Sequence, residues 1–419
     1  EIMPENFHID MPEAVRNIIH TIEEHGFKAY AVGGCIRDSI LGRNPDDWDI
    51  TTSAVPAQIK SFFKRTIDTG IAHGTVTIMI DKTGYEVTTY RIDGEYEDGR
   101  HPKSVEFSDR LVDDLCRRDF TINAMAYNDT DGFVDEFKGL DDLDAKIIRC
   151  VGEPELRFTE DALRMMRAIR FSAQLGFTID EATWNAIKKL SPSISKISME
   201  RVHVELGKTL MSAHPDYVAQ YSEAGLFAPI LPVIDNALKS RYKRKILATL
   251  QHTPDNIYLR YAALFITSTP DEAAKTLRAL KLDNKTVDTV SKLVELSKMD
   301  IEETEPAVRT ALNKYGRDFL PLWHELMMAV IQASEDITGI SNPAKVKHLL
   351  TLKRLATDIL ARGDCFTIKD LDITGVDLIE YGLKGAEIGN TLNTLLDIVI
   401  ENPKLNDKAT LIALLDNLK

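Results

Sequence analysis

Asp47-Trp48-Asp49 is the stretch of this chain best suited to do chemistry. On an extended backbone successive side chains alternate, so both carboxylates share one face and Trp48 takes the other. Carboxylates so placed can share hard divalent cations, which prefer oxygen ligands and keep waters for substrate phosphates. Alone, such a pair is more often a solvated acidic turn, here one that follows Pro45. It gains meaning from Gly33-Gly34 upstream, because two glycines between a strand and a helix let backbone N–H groups approach phosphate oxygens. Arg37, one turn into that helix, can add a charged fork to a triphosphate. Arg117-Arg118-Asp119, with Asn123 after it, forms a third group, which can equally cap a helix or pair with Asp113 and Asp114.

A fourth group begins at Glu160-Asp161-Ala162-Leu163-Arg164 and runs on as MMRAIRF. Its spacing predicts one helix. At about 100° per residue, Ala162, Met165, Met166 and Ile169 fall on one side. Glu160, Arg164 and Arg167 fall opposite, with Asp161 and Arg170 flanking them. The plain alternative is a solvated face held by a Glu160–Arg164 pair, worth only ~0.2–0.5 kcal/mol. The chemical alternative is base reading. Cytosine and adenine present an amine beside an unprotonated ring nitrogen, so a carboxylate can accept from one and a guanidinium can donate to the other. Uracil and guanine reverse that pattern and would leave charged groups unpaired.

The elements that must carry these groups are legible in the first third. Val15, Ile18, Ile19 and Ile22 predict a helix over Glu13–Glu24. A strand over Ala29–Val32 leads into the glycines, and a helix over Ile36–Leu41 stops at Gly42. Asp47–Thr51 reads as a strand, Pro56–Phe63 as a helix, and Thr75–Ile80 and Tyr85–Arg91 as strands. Gly94–Pro102 (GEYEDGRHP) is polar and Gly-flanked, and reads as a mobile loop. Beyond about Lys146 strand signals nearly vanish and amphipathic helices follow one another. Breaks fall at Gly176, Pro192, Pro229–Pro232, His252–Pro254, Pro270, Asn342-Pro343 and Gly363.

Length and composition bound the rest. With 419 residues the chain is expected to hold several domains. No apolar run reaches the roughly 18 residues of a membrane span. With Met3 as the native start, Glu1 and Ile2 precede the natural chain, and the N-terminus lacks the basic and apolar regions of a signal peptide. Cys35, Cys116, Cys150 and Cys365 are scattered without a CxxC pair, which fits a reducing cytoplasm and disfavours disulfides or structural zinc. The net charge of −14 excludes a general nucleic-acid coat but leaves room for a local basic groove. Lys239, Arg241, Lys243, Arg244 and Lys245 form one basic run, though such runs are more often plain solvated surface.

GGxxRD followed by DxD resembles the polymerase-β-like nucleotidyltransferase superfamily. AVGGCIRD, DDWDITTSA, TGIAHGTVTI, YEVTTYR, RRDFTINA and EDALRMMRAIRF extend the likeness along nearly the whole chain to the class II CCA-adding enzymes, the tRNA nucleotidyltransferases. LRALKLDN near residue 280 and LDITGVDLIEYGLKGAEIG from Leu371 also resemble that family. The resemblance implies an α+β fold class, with a polymerase-β-like mixed α/β head followed by an all-helical neck, body and tail. The expected bounds are a catalytic head over 1–145, a base-selecting neck over 146–205, a body over 206–299 and a tRNA-binding tail over 300–419. It implies that Asp47 and Asp49 hold catalytic Mg²⁺, that Gly34, Arg37 and Arg118 bind the nucleotide's phosphates and sugar, and that Asp161 and Arg164 read the base with Arg167 and Arg170 in support. Glu86 is a candidate extra carboxylate. The implied partners are tRNA, at its acceptor end and elbow, with CTP and ATP, in the cytoplasm and away from membranes. Bacterial poly(A) polymerases share the head and neck motifs but carry a basic segment after DxD and a basic tail, which this chain lacks. CC-adding enzymes lack most of the loop kept here as RIDGEYEDGRHP, whereas an A-adding enzyme keeps more of the pattern. A catalytically silent RNA-binding protein is the reading from another class. No His-Asp pair of a fused phosphohydrolase domain is present.

Overall fold

The computed structural model describes residues 7–94 and 105–418, so the loop expected over 94–102 lies outside the described residues except for Gly94. The chain divides into two compact units, Glu1–Pro232 and Val233–Lys419.

The first unit is built on a seven-stranded mixed sheet. Helix α1 (Glu13–Glu24) buries Val15, Ile18, Ile19 and Ile22, the stripe expected of it, against strand β1 (Ala29–Val32). Each such aliphatic side chain contributes about 1.5–3 kcal/mol when fully buried. Helix α2 (Gly34–Ile40) follows, then β2 (Asp49–Thr52), α3 (Pro56–Phe62), β3 (Thr66–Gly70), β4 (Thr75–Ile80) and β5 (Thr83–Thr89). A separate hairpin pairs β6 (Arg91–Asp93) with β7 (Val105–Phe107). After α4 (Leu111–Cys116), β8 (Ala126–Asn128) and β9 (Gly132–Val134) complete the large sheet in the order β3-β4-β5-β2-β1-β8-β9. Only β2 and β5 run parallel, with Ile50 beside Val87; the other neighbours are antiparallel.

Sequence and structure differ here in three places. The strand expected over Asp47–Thr51 starts at Asp49, leaving Asp47 just before it. The strand expected over Tyr85–Arg91 ends at Thr89, and Arg91 opens the hairpin instead. β3 carries no apolar alternation and owes its form to pairing with β4.

Helices then close the unit: α5 (Gly139–Ala145), α6 (Pro154–Glu160), α7 (Leu163–Leu175), α8 (Glu181–Leu190) and α9 (Met199–Leu210), with the short parallel strands Ile147–Ile148 and Thr178–Ile179 among them. The single helix expected from Glu160 onward is two. Asp161 is extended (φ −144°, ψ 106°), and its carboxylate accepts the Leu163 N–H at 3.1 Å. That local bond competes with the helix and ends it. Ala162, Met165, Met166 and Ile169 are all buried, as their spacing requires. α7 stops at Gly176 in the left-handed region (φ 70°).

The second unit is helical among its described residues. Phe319–Thr338 ends on Gly339 (φ 69°), and Asn342 caps Pro343–Arg362 through Lys345 N–H at 3.2 Å. Buried Arg309 ties Glu305 (2.7 Å), Asp364 (3.1 Å) and the Ile400 carbonyl (2.7 Å) together. Among the described residues no helix is long and apolar enough to cross a membrane, and the four cysteines are free thiols.

Candidate active site

The turn between β1 and α2 sets the floor of the site. Gly33 has φ 87° and ψ −135°, a conformation that L side chains rarely adopt. A Cβ at Gly33 would lie 3.4 Å from Arg118 Nη1, and one at Gly34 would lie 3.3 Å from Arg37 Nη2. Two guanidiniums from different elements therefore converge over one glycine turn.

Each is held. Arg37 is buried, and donates from Nη1 to Asn123 Oδ1 at 2.5 Å and from Nε to Asp38 at 3.0 Å. Arg118 donates from Nη2 to Asp114 Oδ2 at 3.1 Å, while Arg117 takes the other oxygen at 3.2 Å. Asp114 is fully buried; burial pushes its carboxyl up, but Arg118 and Arg117 outweigh that and hold it below the usual range. Of the two aspartates next to the arginines, Asp113 instead accepts the Ser108 hydroxyl at 2.5 Å. The Nε of Arg118 is buried without a hydrogen-bond partner among the described residues.

Across from them, Asp47 and Asp49 are exposed and Trp48 is buried, the alternation the motif predicts. Continuing the β2–β5 register by one residue sets Glu86 beside Asp49, and Glu86 is also exposed. Surrounding protein raises the Asp49 carboxyl, Arg118 pulls it down, and Asp47 adds to the rise. Glu86 is raised in turn by the surrounding protein and then by Asp49 and Asp47. Three mutually repelling carboxylates are an all-oxygen donor set that fits a hard divalent cation. Among the described residues no three such side chains are drawn together into a finished cage. An ion placed beside these carboxylates would need further oxygens from outside the protein.

The α6–α7 residues form a neighbouring network. Arg164 donates to Glu160 at 2.6 Å and to the Arg117 carbonyl at 3.0 Å, so the i,i+4 pair weighed from sequence exists but is sheltered and tied to RRD. Asp161 is gripped through both oxygens by Arg201, at 3.3 and 2.9 Å. Arg167 donates to Asp119 Oδ2 from Nε (2.8 Å) and lies 2.7 Å from it through Nη2; Asp119 Oδ1 in turn accepts from Asn123 at 3.2 Å. Arg170 pairs with buried Glu205. Arg37, Arg167 and Arg170 all face the Phe171 ring, at 5.1, 5.3 and 4.2 Å from its centroid. A continuous chain of contacts thus runs from α9 through Arg167, Asp119 and Asn123 to Arg37. Sequence reasoning missed Arg201, Glu205 and Phe171, whereas the pairing of Arg117 and Arg118 with Asp114 is one it offers.

The basic run is only partly available. Lys239 pairs with Asp235 at 2.8 Å, and Arg241 lies over the Tyr242 ring at 4.8 Å. Arg241, Arg244 and Lys245 line a groove of about 610 Å³ with Trp323, Met327 and Lys345.

A mixed sheet that carries a glycine turn, two guanidiniums and exposed carboxylates defines a nucleotidyltransferase head. Residues 29–149 match the poly A polymerase head domain, residues 176–238 the probable RNA and SrmB-binding site of polymerase A, and residues 256–415 tRNA nucleotidyltransferase domain 2. The CCA-adding enzyme of Pediococcus pentosaceus is 34% identical over 425 residues, covering 100% of this chain and 99% of that protein. That of Lactiplantibacillus plantarum is 53% identical over 203 residues, 48% of this chain and 50% of its own. The crystal structure of the Bacillus stearothermophilus CCA-adding enzyme in complex with CTP superposes with a TM-score of 0.75 at 31% identity, over 97% of this chain and 98% of that one. The chain belongs to the CCA-adding enzymes. It is a tRNA nucleotidyltransferase that adds CCA without a nucleic-acid template, and its family implies a divalent metal cofactor.

Proposed function

We propose that this chain builds the CCA end from CTP and ATP with release of pyrophosphate, and that Asp47 and Asp49, with Glu86 beside them, hold Mg²⁺. The convergence of Arg37 and Arg118 on the Gly33-Gly34 turn, with Asp49 within the electrostatic reach of Arg118, carries the reading. Gly34, Arg37 and Arg118 receive the phosphates and sugar, the guanidiniums acting as charged donors to anionic oxygens. When bound, the metal lowers the pKa of the RNA 3′-hydroxyl and neutralises the leaving pyrophosphate. Asp161 accepts from the exocyclic amine of cytosine or adenine, and Arg164, steadied by Glu160, donates to the ring nitrogen. Arg167 and Arg170 frame the pocket through Asp119, Glu205 and Phe171.

On this reading the first unit comprises a head over 1–145, a neck over 146–205 and the beginning of the body. A body over 206–299 and a tail over 300–419 meet tRNA, whose acceptor end and elbow are recognised by shape and phosphates. Arg241, Arg244 and Lys245 are the candidate phosphate contacts, and the working compartment is the cytoplasm. The test is tRNA lacking CCA, incubated with all four nucleotides and Mg²⁺ or a chelator, followed by sequencing of the 3′ end. Metal-dependent CCA is expected. Addition of A alone to tRNA ending in CC marks an A-adding enzyme, a long A tail marks a poly(A) polymerase, and no incorporation marks an RNA-binding protein.

A further inference from the structure

α9 supplies a partner to the residues proposed to face the base, and one of these partners acts on Asp161 itself. Asp161 Oδ1 accepts from Leu163 N–H at 3.1 Å and from Arg201 Nη1 at 3.3 Å, and Oδ2 accepts from Arg201 Nη2 at 2.9 Å. Arg201 stands in the first turn of α9, where the Ser198 hydroxyl accepts its backbone N–H at 3.4 Å. Both side chains are sheltered, 21% and 15% exposed, so the contact is not the loose surface pair that contributes nothing measurable.

We infer that Arg201 is a specificity-determining positioning residue: by gripping both oxygens of Asp161 it fixes that carboxylate in place and leaves one acceptor site for the incoming base. The inference rests on the reading of Asp161 as the base-facing acceptor. A carboxylate offers about four lone-pair sites. Three N–H donors occupy three of them, which leaves one on Oδ2, the number that a single exocyclic N–H of cytosine or adenine needs. A carboxylate only accepts, so the carbonyl of uracil or guanine finds no donor there. Discrimination therefore depends on holding that one open site where the base meets it.

The other charges around Asp161 do not replace this grip. Glu160, next in the chain, is matched by Arg157 and Arg164 at 2.8 and 2.6 Å. Arg167 of α7 feels the Asp161 charge but is spent on Asp119, and Glu205 of α9 is spent on Arg170. Loss of the Arg201 guanidinium removes both donors of the fork, so Asp161 is no longer fixed and its acceptor sites are no longer reduced to one.

The test compares parent, Arg201→Gln, Arg201→Lys and Asp161→Ala by kcat/KM for CTP, ATP, UTP and GTP on tRNA lacking CCA. In Arg201→Gln, selection against UTP and GTP is expected to fall at least tenfold. Arg201→Lys restores the charge without the fork, so its ratio should lie between those of Arg201→Gln and the parent. Should Arg201→Gln not fold, as judged by thermal melting, the lysine variant carries the test through its lowered ratio. An equal loss for all four nucleotides would make Arg201 structural and overturn the inference. If Asp161→Ala itself leaves the ratios unchanged, the base-reading role fails instead, whatever the Arg201 variants show.

Discussion

Asp119→Asn tests whether the contacts between α7 and the nucleotide site are one connected unit. Asp119 is 8% exposed and accepts from Phe120 N–H at 2.8 Å, from Asn123 at 3.2 Å and from Arg167 at 2.8 Å. Burial pushes its carboxyl up, but the charges of Arg167 and Arg164 and the donors from Arg167 and Asn123 prevail and hold it down at about 2. An unfolded aspartate titrates near ~3.9, so the difference is worth roughly 2–3 kcal/mol at neutral pH. Because the folded value is depressed, this stability is fully present above about pH 4 and is lost as pH falls from there toward 2.

Asparagine keeps the shape but cannot keep the bonds. Its NH2 must face either the Arg167 donors or the donors of Asn123 and Phe120, so a donor meets a donor on one side. Leaving Arg167 without its buried carboxylate adds to the loss. The expected destabilisation is therefore roughly 2–4 kcal/mol at pH 7, read by urea unfolding of the full chain. Asn123 also loses its anchor, and Asn123 is what fixes Arg37. KM should rise for CTP and ATP by similar factors, with selection against UTP and GTP unchanged. A variant within about 0.5 kcal/mol of the parent with unaltered KM would refute the connection. So would a stability gap that fails to narrow between pH 5 and pH 3.

Asp47→Ala and Asp49→Ala should each lower CMP and AMP addition more than a thousandfold, about 4 kcal/mol or more, while leaving the melting temperature and tRNA binding near the parental values; near-normal turnover in either would remove the metal-binding role. Deletion of Gly94–Pro102 should leave addition of two cytidines and impair the terminal adenosine, read by sequencing the 3′ end. Completion of CCA at the parental rate would deny the loop that part. Asp161→Ala should relax selection against UTP and GTP tenfold to hundredfold, the ~1–3 kcal/mol of a good bidentate contact. Arg164→Ala should do likewise and also slow CTP addition, and Arg170→Ala should weaken nucleotide binding without changing which bases enter.

The parts of this molecule that face substrate are legible in its sequence because their signals are local. Trp48 turns inward and Asp47 and Asp49 outward through two-residue alternation alone, and the α1 stripe needs only its own period. β3 escaped notice because an exposed Thr-Ile-Asp-Thr-Gly segment becomes a strand through its partner, not through its own pattern. The break at Asp161 escaped for a related reason. Helical spacing continues across it, since the buried residues on both sides fit one period, while the Arg201 that fixes its carboxylate lies 40 residues away.

The supporting residues do leave a trace. Arg201 and Glu205 stand one turn apart on α9, beside the buried Val202 and Leu206. A charged pair set at i,i+4 against an apolar stripe violates the pattern of a surface helix, because burying a charge is costly unless a partner waits for it. Such a violation within ERVHVEL predicts opposite charges on whatever packs there. Asp161 and Arg170 are those charges, one acidic for Arg201 and one basic for Glu205. The same argument makes α9 part of the site's support even though no α9 residue is assigned to the substrate: exchanging the two signs together, with Arg201→Glu and Glu205→Arg, would keep the i,i+4 pair yet set like charges against Asp161 and Arg170.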